Sequence, residues 1–96
     1  MREYELMVIL DAGLEEKDAR ALIDRHLTGL GSQGGKVLGL EHWGKRRFSY
    51  EIRHMNEGYY AVARLEATAE MVDELSRVLS LADQVIRHKI IRPAAA

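Results

Sequence analysis

Cysteine is absent from this chain, which removes disulfides and thiolate metal sites from consideration. Proline occurs once, at Pro93, so nothing reads as a proline-rich linker or a disordered tract. No apolar run approaches the roughly 20 residues a membrane-spanning helix needs. The opening Met1-Arg2-Glu3-Tyr4-Glu5 has no signal-peptide pattern either, so a cytoplasmic location with no membrane partner is expected. What remains, 96 residues of which 47% are hydrophobic and 30% charged, suits one folded domain over 1–96 with a short alanine tail from Ala94. Such a chain has room for a single two-layer core but not for an enclosed cofactor cavity of the usual kind, so no cofactor and no small-molecule substrate are expected.

Charge is close to balanced, with a formal net of −1, yet it is segregated along the chain. Residues 1–35 carry four Lys/Arg against seven Asp/Glu, and residues 65–83 carry one against five. Residues 36–64 carry six against three, and residues 84–96 three against none. The acidic segments hold the helical patterns and the basic ones hold strand patterns. A basic sheet under acidic helices would orient on an anionic polymer despite a near-neutral total.

Residues 3–10 alternate, with Tyr4, Leu6, Val8 and Leu10 as the core-facing set of a strand. Glu15, Glu16 and Asp18 then place negative charge at a helix start, and Ala19, Leu22, Ile23, His26, Leu27 and Leu30 form its apolar stripe as far as Gly31. From Lys36 to Arg53 the even positions, including Leu38, Leu40, His42, Phe48, Tyr50 and Ile52, predict one continuous core phase with Gly44 as a bend or bulge. Arg46 would be the exception on that apolar side. Residues 54–58 read as a turn, and Tyr59 to Glu66 as the returning strand with Tyr59, Ala61, Ala63 and Leu65 inward and Tyr60, Val62 and Arg64 outward. Thr68 caps a second helix striped by Met71, Val72, Leu75, Val78 and Leu79, and residues 85–91 close the chain as a β-branched strand. The order βαββαβ predicts an α+β, ferredoxin-like domain: a four-stranded antiparallel sheet with two helices on one face and the other face open.

Catalysis needs acids, bases, nucleophiles or metal ligands that converge. The four histidines at 26, 42, 54 and 88 lie on core faces, in a turn and in the last strand, and no pair has metal-ligand spacing. The glycines lack the lysine and hydroxyl of a phosphate-binding loop, and Asp11-Ala12-Gly13 brings no arginine for an acylphosphatase-like site. No enzyme is expected. The positive signal is the run Trp43-Gly44-Lys45-Arg46-Arg47-Phe48-Ser49-Tyr50-Glu51-Ile52-Arg53, where cations that attract phosphate alternate with aromatics that can stack on bases. Glu57-Gly58-Tyr59-Tyr60-Ala61-Val62 partly matches the third-strand signature of RNA-recognition motifs. It has Ala61 in place of the second stacking aromatic, and Met7-Val8-Ile9-Leu10 supplies none on the first strand. An RNA-recognition-motif-like protein and a pure protein-interaction module therefore stand as the competing readings.

The run from Trp43 to Ile52, followed by Gly58-Tyr59-Tyr60, resembles the signature of the bacterial small-subunit ribosomal protein family numbered six. Arg2-Glu3-Tyr4-Glu5 leading into Met7-Val8-Ile9-Leu10-Asp11, Gly34-Gly35-Lys36-Val37, and Leu79-Ser80-Leu81 through Val85-Ile86-Arg87 are similar to the same family. The resemblance implies a ferredoxin-like structural constituent of the small ribosomal subunit, acting in translation. It implies binding to the central domain of small-subunit ribosomal RNA in the platform, as a heterodimer with small-subunit protein eighteen. Carried across by position, the RNA-facing residues are Arg2, Lys45, Arg46, Arg47, Arg87, Lys89 and Arg92, with Trp43, Tyr50, Tyr60 and Arg64 as partner or RNA contacts. The chain lacks the long charged carboxyl tail of some relatives, so a function of such a tail is not expected to carry over.

Overall fold

The computed structural model describes residues 1–52 and 55–93. Strand β1 (Arg2–Asp11) is followed by helix α1 (Glu16–Ser32), strands β2 (Lys36–Ile52) and β3 (Met55–Ala67), helix α2 (Ala69–Leu81) and strand β4 (Val85–Ile91). The sheet order is β2-β3-β1-β4, with every neighbouring pair antiparallel. This is the ferredoxin-like βαββαβ arrangement that the element order predicts.

The period-two pattern of β1 and β3 does what it should. Tyr4, Leu6, Val8 and Leu10 of β1 and Tyr59, Ala61, Ala63 and Leu65 of β3 are buried, and they meet Leu22, Ile23, Leu27 and Leu30 of α1 and Val72, Leu75 and Leu79 of α2 in one cluster. Small alanines at the centre of β3 let the helices settle close to the sheet. Only about 10 Å³ of space is left among Leu6, Val8, Leu10, Ile23, His26, Leu27 and Leu79, no more than a single water needs. The Thr68 hydroxyl accepts the Met71 amide at 3.3 Å and starts α2, while α1 begins without a side-chain cap and relies on Glu16 and Asp18 in its first turn.

Three expectations need correction. The returning strand begins at Met55, not after Gly58, because Arg46, Arg47 and Ile52 pair with Gly58, Glu57 and Met55. Strand β2 does not keep one phase. Its register against β3 shifts between Val37 and Gly39 and again between His42 and Gly44, and each extra residue reverses which set faces the helices. The even set is therefore inward only from Leu40 to His42. Leu38, expected in the core, is exposed, and beyond the second shift Lys45 aligns with buried Tyr59 while Arg46 aligns with Gly58 on the open side. Phe48 likewise lies against Tyr60 on the open face, not under the helices. The bend at Gly44 is as expected, and its φ is +79°. Arg53 and His54 lie outside the described residues, as does the alanine tail from Ala94.

Candidate nucleic-acid interface

The open face is built in rows across the four strands. Gly44, Tyr60, Ile9 and Arg87 form one row, and Glu41, Val62, Met7 and Lys89 form the next row on the same face. Gly39, Arg64, Glu5 and Ile91 follow, then Lys36, Glu66 and Glu3. Period two brings every second residue of each strand to this face, and with both helices packed on the other side it stays uncovered. Trp43 shares this face with Glu41, two residues earlier in β2, just before the bulge at Gly44. There it lies parallel to the Tyr60 ring, 6.5 Å between centroids and 7° between planes, and its Nε1 donates to Glu41 Oε2 at 3.1 Å.

Arg46 completes this aromatic corner. Its guanidinium carbon sits 5.8 Å from the centroid of the Trp43 ring, and its Nε donates to the Trp43 carbonyl at 3.4 Å. A cation held over an indole keeps its charge exposed while its stem is ordered. Arg87 stands two strands away from Tyr60 along the same row, and Lys89 follows on β4. Among the described residues, none of Lys45, Arg46, Arg47, Arg87 and Lys89 has a carboxylate within salt-bridge distance, whereas Arg64 reaches Glu3 at 3.5 Å. Among the described residues these five cations are thus uncompensated, while Arg64 serves as a cross-strand partner.

The seven basic positions singled out in the sequence do not form one patch. Lys45, Arg46, Arg47 and Arg87 gather at the end of the sheet where the β2–β3 hairpin runs past Asp11. Lys45 and Arg47 project to the helix side of that hairpin and Arg46 to the open side. Arg2, paired with Ala67, and Arg92, which follows β4, mark the opposite end, with Lys89 between the two groups. Tyr50 falls in β2, and its side chain lies outside the described residues. The charge segregation also needs revision, because Glu3, Glu5, Glu41 and Glu66 share the open face with the cations. One end of that face is cationic and aromatic, the other largely acidic.

The histidines do not converge. His88 Nε2 is 2.8 Å from the Ser76 hydroxyl at the α2–β4 contact, His26 lies in α1, and His42 sits 6.0 Å from the Tyr59 ring. Burial, above all, holds all three imidazoles below their ordinary pKa, with Arg25 adding to the effect at His26 and Arg20 at His42. No group of three or more His, Cys, Asp or Glu suited to a metal occurs among the described residues. The RNA-recognition-motif reading weakens as well. The stacking aromatics of that signature would fall at Tyr59 and Ala61, and both are buried under the helices.

A family model described as ribosomal protein S6 matches residues 3–92. Small ribosomal subunit protein bS6 of Carboxydothermus hydrogenoformans is 42% identical over 92 residues, covering 96% of this chain and 96% of that protein. The bS6 protein of Streptomyces coelicolor is 46% identical over 93 residues, covering 97% of each. Among solved structures, the crystal structure of 30S ribosomal protein S6 from Thermotoga maritima superposes with a TM-score of 0.88 at 29% identity, over 95% of this chain and 86% of that one. The C-terminal domain of the MgtC protein from Mycobacterium tuberculosis, at a TM-score of 0.65 and 17% identity over 100% of this chain and 94% of that one, shares the fold alone.

Proposed function

Since the chain belongs to the ribosomal protein S6 family, and is thus a structural protein of the small ribosomal subunit in the cytoplasm rather than an enzyme, we propose that it binds the central domain of small-subunit ribosomal RNA together with protein eighteen. The observation that carries this reading is the cationic end of the sheet. Arg46 is fixed over Trp43, Arg87 stands in the Tyr60 row, and Lys45 and Arg47 flank them, all without a carboxylate partner among the described residues. Uncompensated cations on a rigid sheet neutralise phosphates with little ordering cost, and each contact releases counterions. Because Arg46 and Tyr60 already engage Trp43, this corner suits the backbone of a folded RNA junction better than a splayed base. Arg2 and Arg92, at the other end, are proposed to meet a separate RNA segment.

The test is the joint replacement of Lys45, Arg46 and Arg47 by Ala, read as affinity for a central-domain RNA fragment loaded with protein eighteen across a salt series. Affinity should fall, and the slope of log K against log salt should flatten by roughly 0.7–0.9 for each lost phosphate contact. Unchanged affinity and slope would remove the assignment. A pure protein-interaction module would instead bind protein eighteen equally well without RNA and with no dependence on salt.

A further inference from the structure

The acidic half of the open face contains a recess of about 430 Å³ that the phosphate-binding reading leaves unused. Met7 and Val62 form its apolar floor, the Trp43 indole one wall, and Glu5, Glu41 and Arg64 its polar rim. We infer that this recess receives an arginine side chain from a basic segment of a protein partner, with the stem on Met7 and Val62 and the guanidinium between Trp43 and the Glu41 carboxylate. The inference deepens the partner half of the proposed function and rests on that reading only in taking the occupant to be a protein.

Charge and geometry favour a cation at the Glu41 side. The Trp43 indole N–H donates to one oxygen of Glu41 at 3.1 Å, which orients the carboxylate and leaves its second oxygen without a partner among the described residues. Trp43 lines the recess together with Met7 and Val62, whereas Arg46 and Tyr60, which touch the indole, do not line it. Arg64 on the rim is drawn toward Glu3 and lies across Gly39, where a Cβ would come within 3.4 Å of its guanidinium. It therefore occupies the Glu3 and Glu5 end and not the Glu41 end. Lys89 shares the Glu41 row but is three strand spacings away, about 14 Å, beyond the reach of screened charge at physiological salt. Guanidinium fits the site better than ammonium because it is planar, weakly hydrated and stacks on indole while it pairs with carboxylate. Phosphate does not fit, since an anion would sit against Glu41 and Glu5.

Trp43 is the single tryptophan of the chain, so it reports directly on the recess. The intact protein, isotopically labelled, is titrated with N-acetyl-Arg-Ala-Arg-amide, with the same peptide carrying citrulline for arginine, and with a uridine hexanucleotide, following the Trp43 indole and Met7 methyl resonances. The arginine peptide should shift both saturably, the citrulline peptide should not, and E41Q should weaken the arginine peptide at least threefold. Equal responses to the two peptides, unaltered binding in E41Q, or saturation by the hexanucleotide in place of the peptide would overturn the inference. Loss of RNA assembly in the Lys45, Arg46 and Arg47 variant with an unaltered peptide titration affects only the phosphate reading. A failed peptide titration beside normal RNA assembly removes only the recess.

Discussion

Trp43 and Tyr60 lie parallel across the β2–β3 ladder, 7° between ring planes, and one extra residue in β2 beside Trp43 brings Arg46 to the same face. A regular β2 that kept the phase of Leu40 and His42 would place residue 43 on the open face but carry Arg46 to the helix side. With the bulge, Arg46 and Trp43 share one side and the guanidinium can sit over the ring. The cation over the indole depends on this single irregularity, whereas Glu41 and Trp43, two residues apart in β2, share a face without it.

Gly44 permits the bulge, since its φ of +79° lies in the left-handed region that side chains avoid. Nothing lies within 4 Å of where a Cβ would stand, so the cost of Gly44→Ala is conformational, not steric. It should lower stability by roughly 1–2 kcal/mol, read from denaturant midpoints, and change Trp43 emission as Arg46 leaves the indole. A variant with wild-type midpoint and emission would show that the bulge does not need glycine.

Gly58→Ala should destabilise for the opposite reason. A Cβ there would come within 2.6 Å of Ile9 Cγ2, 2.9 Å of Phe48 Cζ and 3.0 Å of the Leu10 carbonyl oxygen. Side chains can turn aside, but the backbone oxygen of a central strand cannot, so a loss of about 1–3 kcal/mol is expected. Gly29→Ala, on the exposed face of α1 with nothing within 4 Å, should instead gain roughly 0.5–1 kcal/mol from helix propensity. The two variants should move the urea midpoint in opposite directions, and a shift of the same sign in both would contradict the packing described here.

Burial holds the His26, His42 and His88 imidazoles below the usual value of 6.5 in the folded chain. Below that pH the unfolded chain binds more protons than the folded one, so the stability these groups provide is complete above about pH 6.5 and is lost as the pH falls through their folded-state values. Urea midpoints should therefore fall from pH 7.5 through 6.5 to 5.5. A flat or rising series would show that the histidines are not buried as neutral groups.

Much of the fold can be read from the chain alone. The even set of β1, the stripes of α1 and α2, the inward alanines of β3 and the limits of β4 all follow from apolar spacing. These elements lie in the middle of the sheet or pack directly on it, so local pattern and tertiary environment agree. The cations of the β2 hairpin were also legible, as was a bend at Gly44. The acidic share of the open face was not, because Glu3 and Glu5 sit in a segment whose count is dominated by helix residues. The Glu41, Met7 and Val62 recess gave no signal at all, since its parts come from three strands.

Sequence by itself determined the order of elements, which residues of β1, β3 and the two helices form the core, and the family to which the chain is similar. Periodicity and residue type are local properties, and a period-two or 3.6-residue stripe survives any arrangement that buries it. Tertiary structure alone decided what β2 presents. Its register shifts arise from pairing with β3, and the one-residue shifts at Leu38 and Trp43 each reverse the face of the residues beyond. Pairing also set Arg64 against Glu3, sixty-one positions apart, and left Arg46, Arg87 and Lys89 without carboxylates among the described residues. Register across strands is a property of two or more segments together, so neither the aromatic corner nor the recess beside it is written in any one of them.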